Sequence, residues 1–200
     1  MQHEANNKPK IVILVGPTAV GKTDISIAAA KALNGEIISA DSAQVYKYMD
    51  IGTAKISPAE MQGIKHHMID EVTPDKSFSV AQFRDKADQY IHEITDRGKL
   101  PIIAGGTGLY INSLLNNLDF TKSVGDEDFR QKMQELADNK GNEYLHELLK
   151  SIDSESYERL HANDVRRVIR ALEVMNLPVK RYHTFKRNPK KFLLDIILLT

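Results

Sequence analysis

Residues 16–23 read Gly16-Pro17-Thr18-Ala19-Val20-Gly21-Lys22-Thr23 and satisfy the pattern G-x-x-x-x-G-K-[ST] at every fixed position. The stretch before them, IVILV at 11–15, is apolar and mostly β-branched, as a strand buried in a parallel sheet is. A helical pattern opens directly after Gly21, so the expected unit is strand, glycine loop, helix. Gly16 and Gly21 open backbone angles closed to other residues, which lets successive N–H groups turn inward on phosphate oxygens. The helix N-terminus adds partial positive charge at the same place. Lys22 supplies a mobile point charge for the outer phosphate, and the Thr23 hydroxyl is placed to ligate Mg²⁺. Residues 16–23 therefore point to a bound di- or triphosphate, with no implication that ATP is hydrolysed. A glycine turn with an incidental lysine is the rival reading, and the flanking strand and helix weigh against it.

Working outward, residues 24–34 are expected to form the helix, with Ile25, Ala28, Ala29, Ala32 and Leu33 along one face and Asn34-Gly35 as its stop. A second strand, 36–40, leads to Asp41, a carboxylate at the C-terminal end of a strand, where open parallel sheets hold their sites. The polar run that follows leaves open that Asp41 only caps a helix. From 48 to 77 periodicity is weak and Gly52, Pro58, Gly63 and Pro74 punctuate, which predicts a long irregular connection. His66 and His67 lie inside it. Adjacent imidazoles lack the spacing of a shared metal site, so structural or supporting roles are favoured over ligation. Ser79 is expected to cap a helix striped by Val80, Phe83, Ala87, Tyr90, Ile91 and Ile94 and ending at Arg97-Gly98. A third strand, 100–104, then opens on Gly105-Gly106-Thr107-Gly108 and a helix over 109–115. Two glycine turns after two parallel strands belong on the same sheet edge. Beyond 116 only helices are predicted, at 126–138, 142–149, 154–160 and 164–175, until a strand at 192–199. No internal repeat or low-complexity segment appears.

These patterns describe an α/β fold of the P-loop NTPase type, a parallel sheet flanked by helices, with an all-helical insertion. The expected boundaries are 1–118 with 162–200 for the catalytic core and 119–161 for the insertion. Two hundred residues at 42% apolar composition can bury a sizeable core. There is no cysteine, so neither a disulfide framework nor a thiolate metal site is possible. No apolar run of membrane-spanning length occurs and the first residues are polar, which makes a cytoplasmic protein the simplest expectation. Net charge is zero, yet it is unevenly placed: 122–158 holds five basic against ten acidic residues, and 159–191 holds ten basic against two acidic. A polyanion fits the second segment, and a solvated helix face with a basic loop fits it as well.

Taken in order, GPTAVGKT at 16–23, DSAQVYKYMDIGTAK at 41–55, GIKHHMID at 63–70, FSVAQF at 78–83, IIAGGTGLY at 102–110 and DVRRVIRALEV at 164–174 closely resemble the tRNA dimethylallyltransferases. Members of that family place an isoprenoid group on N6 of the adenosine beside the anticodon. The resemblance implies that Gly16, Pro17, Thr18, Ala19, Val20, Gly21, Lys22 and Thr23 cradle the diphosphate of dimethylallyl diphosphate, with Thr23 on Mg²⁺. It implies that Asp41 is the general base for the adenine N6 amine, and that Asp41, Ser42, Ala43, Gln44, Thr107, Arg130, Arg166, Arg167, Val168, Ile169 and Arg170 meet the tRNA. The expected partners are the anticodon stem-loop of tRNA and dimethylallyl diphosphate, with no membrane, and the expected state is a monomer. The resemblance further implies that family members continue past the last strand, with a basic residue for the diphosphate in the continuation. Weak or no turnover is therefore expected of these 200 residues by themselves.

The chemistry agrees with those roles. Prenyl transfer breaks a carbon–oxygen bond, and the charge growing on the departing diphosphate is what a P-loop, a lysine and Mg²⁺ stabilise. A purine stacked in a loop has to be extruded before its amine can react. Three rivals stay open on the residues: a small-molecule P-loop kinase, an adenylate isopentenyltransferase using a free nucleotide as acceptor, and an RNA-binding module with a degenerate loop. The DSAQVY and GGTGLY blocks and the charge of 159–191 favour the tRNA enzyme.

Overall fold

The computed structural model describes residues 9–115, 126–176 and 193–198. The chain divides into two compact units, Met1–Leu118 with Lys186–Thr200, and Asp119–Phe185.

The first unit is built on β1 (Lys10–Val15), α1 (Lys22–Ala32), β2 (Gly35–Ser39), β3 (His66–His67), α2 (Val80–Asp96), β4 (Leu100–Gly105) and α3 (Gly108–Leu115), with the strand Leu193–Leu198 completing the sheet. All pairings are parallel, and the order across the sheet is β3-β2-β4-β1 and then Leu193–Leu198. β1 is flanked on both sides from Val12 to Val15, by Ile102 against Val12 on one side and by Asp195 against Val12 on the other, so most of its length is internal. That explains the unbroken apolar run at 11–15: side chains alternate between two covered faces. Ile11 and Ile13 join Ile38, Ile103, Phe83, Ile91 and Ile111 under α2 and α3. Val12 and Leu14 join Ile37, Ile102, Ile27 and Ala30 under α1.

α2 starts where Ser79 predicts. The Ser79 hydroxyl accepts from Gln82 N at 3.2 Å and the Gln82 side chain accepts from Ser79 N at 2.8 Å, a reciprocal cap. Its stripe seats Phe83 flat on Tyr110 of α3, with ring centroids 4.0 Å apart.

Within the connection expected to be irregular, His66 and His67 pair with Ile37 and Ile38 as β3. A two-residue strand carries no period to read. It sends His67 inward, where Nε2 lies 2.7 Å from Glu36 Oε2. Arg97 at 2.8 Å and Lys99 at 3.0 Å complete the ring around that carboxylate. Burial alone would raise the Glu36 pKa, but hydrogen bonds from His67, Arg97 and Lys99 outweigh it and hold the carboxyl at about 2.

β4 ends at Gly105 for a steric reason. A Cβ there would lie 2.5 Å from the carbonyl carbon of Ala40 and 2.8 Å from its Cα, with the carbonyl oxygen nearer still. The end of β2 and the end of β4 therefore touch through backbone alone, clasped by Ala40 N to Ala104 O at 2.8 Å and Thr107 N to Ala40 O at 3.2 Å.

The second unit contains α4 (Glu127–Lys140), α5 (Asn142–Ile152), α6 (Ser154–Arg159) and α7 (Val165–Asn176). Asp126 caps α4 through Phe129 N, and Gly141, at φ 93°, turns the chain into α5. Its core joins Ala137, Leu145 and Leu149 to Val168, Ile169 and Leu172. The boundary expected at 161 is therefore too early. The apolar face of α7 finds its partners on α4 and α5, so this helix belongs with the helical unit. Among the described residues no helix is long and apolar enough to cross a membrane.

Candidate active site

The loop between β1 and α1 departs from expectation in one detail. Left-handed backbone falls at Ala19, φ 64°, and at Gly21, φ 81°, and not at Gly16. What requires a small residue near Gly16 is close approach, since a Cβ on Gly106 would lie 3.3 Å from the Gly16 carbonyl. The second glycine turn thus packs on the first, as expected of two turns on one sheet edge. Gly21 is the N-cap of α1 and offers no side chain to it, so the first amides of the helix are left open to an anion. Lys22 folds its Nζ back onto the Pro17 carbonyl, which sets its charge over the loop.

Asp41 follows β2 by two residues. Its Oδ1 accepts from Ala43 N at 2.8 Å and Gln44 N at 3.3 Å, so one oxygen caps a turn, and the helix that the capping alternative supposes is not formed here. Both bonds fall on Oδ1, which leaves Oδ2 for a reacting partner. The turn is pinned from two sides. Ser42 N donates to Thr107 Oγ1 at 3.0 Å, and Gln44 reaches the Thr53 and Ala54 carbonyls while accepting from Ser39.

Lys22, Thr23 and Asp41 line one cleft enclosing about 460 Å³, part of it open solvent. Ser26, Ser39 and Gln44 add polar surface, while Ile37, Ile56, Ile69 and Ala104 give it an apolar side. That mixture suits a ligand with a charged end and a hydrocarbon end. For Mg²⁺ the Thr23 hydroxyl, which lines the cleft, offers a hard oxygen. Among the described residues no three or more His, Cys, Asp or Glu are grouped to hold a metal ion. The residues fit an ion that completes its shell with a ligand's phosphate oxygens, as Mg²⁺ commonly does.

His66 also lines this cleft. Its Nδ1 lies 2.9 Å from the Ile64 carbonyl, so that nitrogen carries the proton and donates, and Nε2 is the acceptor. Burial, with His67 beside it, pushes its pKa down despite the Ile64 bond, which keeps the ring neutral at neutral pH. The two histidines, read together from sequence, have separate jobs because alternate strand residues face opposite ways.

The remaining expected contacts sit in the helical unit. Arg166 and Arg167 are exposed on α7, with Arg167 3.7 Å from Asp164. Val168 and Ile169, expected to meet tRNA, are instead buried in the helical core, so their side chains hold α7 in place. Arg130 and Arg170 converge on a residue the sequence reading passed over, Glu173, whose side chain is 1% exposed. Burial would raise the Glu173 pKa, but Arg170, the Asp126 amide and Arg130 hold it below the usual carboxylate range. Of the basic run at 159–191, positions Lys180, Arg181, Lys186, Arg187, Lys190 and Lys191 lie outside the described residues.

Known proteins match this arrangement. The chain is 53% identical over 96% of its length to a tRNA dimethylallyltransferase of Bacillus cereus, and 55% identical over 90% to one of Acetivibrio thermocellus. It spans 61% and 58% of those relatives. Among solved structures, the full-length tRNA isopentenylpyrophosphate transferase of Bacillus halodurans is similar at 49% identity and TM-score 0.57, over 88% of this chain and 58% of that one. A eukaryotic dimethylallyltransferase captured acting on tRNA is similar at 31% identity and TM-score 0.78, over 96% of this chain and 48% of that one. The family model described as IPP transferase matches residues 44–199, and the chain belongs to the IPP transferase family.

Proposed function

We propose that this protein transfers the dimethylallyl group of dimethylallyl diphosphate to N6 of the adenosine 3′ to the anticodon, position 37, in tRNA, and releases diphosphate. The observation that carries the reading is the single cleft lined by Lys22, Thr23 and Asp41. The names of the relatives, tRNA dimethylallyltransferases, support tRNA as the acceptor and dimethylallyl as the group transferred.

In this reading residues 16–23 bind the diphosphate through the open amides of α1, and Lys22 exchanges its Pro17 carbonyl for a phosphate oxygen. The apolar wall of Ile37, Ile56 and Ile69 takes the hydrocarbon end. The carbon–oxygen bond of the donor breaks, its electron pair leaves with the diphosphate, and the new carbon–nitrogen bond forms at N6. The proton released from N6 goes to Asp41 Oδ2, while Oδ1 keeps the turn in place through Ala43 and Gln44. Thr23 would hold Mg²⁺, which would supply further charge stabilisation to the leaving group. Asp41–Gln44 with Thr107 in one unit, and Arg130, Arg166, Arg167 and Arg170 in the other, are the proposed RNA contacts. Acting on tRNA, the protein works in the cytoplasm, and we propose that it does so as a monomer.

The test supplies the protein at its natural length with unmodified tRNA, Mg²⁺ and labelled dimethylallyl diphosphate, beside a reaction with γ-labelled ATP. Label enters the tRNA only from the prenyl donor. Label transferred only from ATP would replace this reading by a kinase.

A further inference from the structure

We infer that Glu173 is a positioning residue for RNA: from inside the helical unit it sets the Arg130 and Arg170 guanidiniums side by side as a preformed site for one backbone phosphate. The inference rests on the function proposed above.

Glu173 Oε1 accepts from Asp126 N at 2.8 Å and pairs with Arg130 Nε at 2.9 Å, while Oε2 takes Arg130 NH2 at 3.2 Å and Arg170 NH1. Arg130 is therefore held edge-on by two nitrogens, with its plane fixed. One arginine would neutralise the buried carboxylate. A second one leaves the trio with a net positive charge, and that excess faces water, since the Arg130 and Arg170 side chains are 40% and 37% exposed. Among the described residues Arg130 has one further acidic partner, Glu127, at 3.3 Å and 87% exposed, which is a weak surface partner. Free arginines lose rotamer freedom when they grip an anion. Here that loss has been taken on folding, through a carboxylate the RNA never touches. Arg166, one turn from Arg170 on α7, is exposed and adds charge of the same sign.

A plain brace between α4 and α7 would use the same bonds, and the two roles differ in sign. Glu173→Gln keeps the shape and deletes one negative charge. As a brace, its loss lowers the melting temperature and leaves RNA affinity unchanged, or tighter from the added positive charge. As a positioning residue, its loss weakens binding of an anticodon stem-loop by about tenfold and flattens the plot of log Kd against log salt by about one phosphate contact. The effect falls on KM for RNA, with kcat and KM for dimethylallyl diphosphate retained, and Glu173→Asp recovers part of the affinity. Arg130→Lys, which keeps the charge and leaves Glu173 paired but lacks the fixed fork, provides a second readout should Glu173→Gln fail to fold: affinity falls at an unchanged salt slope. Wild-type affinity in Glu173→Gln or in Arg130→Lys, with the parent protein binding normally, overturns the inference alone. A parent protein that neither binds nor modifies the stem-loop overturns the proposed function first.

Discussion

Substituting Gly105 by alanine tests the link between fold and site. The added Cβ would stand 2.5 Å from the Ala40 carbonyl carbon and 2.8 Å from its Cα, where carbon atoms normally meet at about 3.5–4.0 Å. Neither neighbour is a flexible side chain, so the ends of β2 and β4 have to part by about 1 Å. That strains Ala40 N to Ala104 O and Thr107 N to Ala40 O, which hold these two strand ends together. Overpacking of this kind costs about 1–3 kcal/mol, and each backbone bond lost adds about 1 kcal/mol. The expected destabilisation is about 2–5 kcal/mol, read as a fall in the urea midpoint at unchanged slope. Asp41 follows Ala40 directly, so turnover should fall by about 10²-fold, the usual cost of a 1 Å displacement of a reacting group. A Gly105→Ala protein with unaltered midpoint and full turnover would refute the claim that strand-end contact positions the base.

Glu36 gives the first unit a pH dependence. Its carboxyl sits at about 2 in the fold against an ordinary 4.5, so on acidification the unfolded chain takes up the proton first. The stabilisation is present above 4.5 and is lost as pH falls from 4.5 towards 2, a difference of about 2–3 kcal/mol after allowing for solvent around Arg97 and Lys99. Urea midpoints measured at neutral pH and at about pH 3 should converge between wild type and Glu36→Gln; a constant gap would contradict this. Lys22→Ala removes a charged donor to the diphosphate, worth about 1.5–3 kcal/mol, so calorimetry should show dimethylallyl diphosphate binding about 10- to 100-fold more weakly. Unchanged affinity would mean that Lys22 stays on Pro17 when the ligand is bound.

Local pattern carried most of this far. The apolar run at 11–15, the glycine loop and the Ser79 cap each act over a few neighbouring residues, and each appears in the structure where the sequence places it. Reach across the fold is what sequence hides. β3 exists because two histidines find the free edge of β2, a partner distant in the chain and without periodicity of its own. The place of α7 is decided by which helices its apolar face meets, and a heptad-like stripe names no partner. Val168 and Ile169 matched a family block as part of a run, yet with Val165 and Leu172 they form the apolar stripe of α7 and are buried, while Arg166 and Arg167 are exposed. That signal was available in the 3.6-residue period. Glu173, flanked by apolar residues on an otherwise buried stripe, offered a similar hint: a carboxylate at a core position needs partners, and Arg130 and Arg170 are those partners.

The most direct test of the central claim is the turnover of Asp41→Asn with an anticodon stem-loop and labelled dimethylallyl diphosphate. Asparagine keeps an acceptor for the Ala43 and Gln44 amides, so the turn and RNA binding should persist while the proton acceptor is lost. Turnover is expected to fall by about 10²- to 10⁴-fold with stem-loop affinity retained. Turnover equal to wild type would show that another group takes the N6 proton.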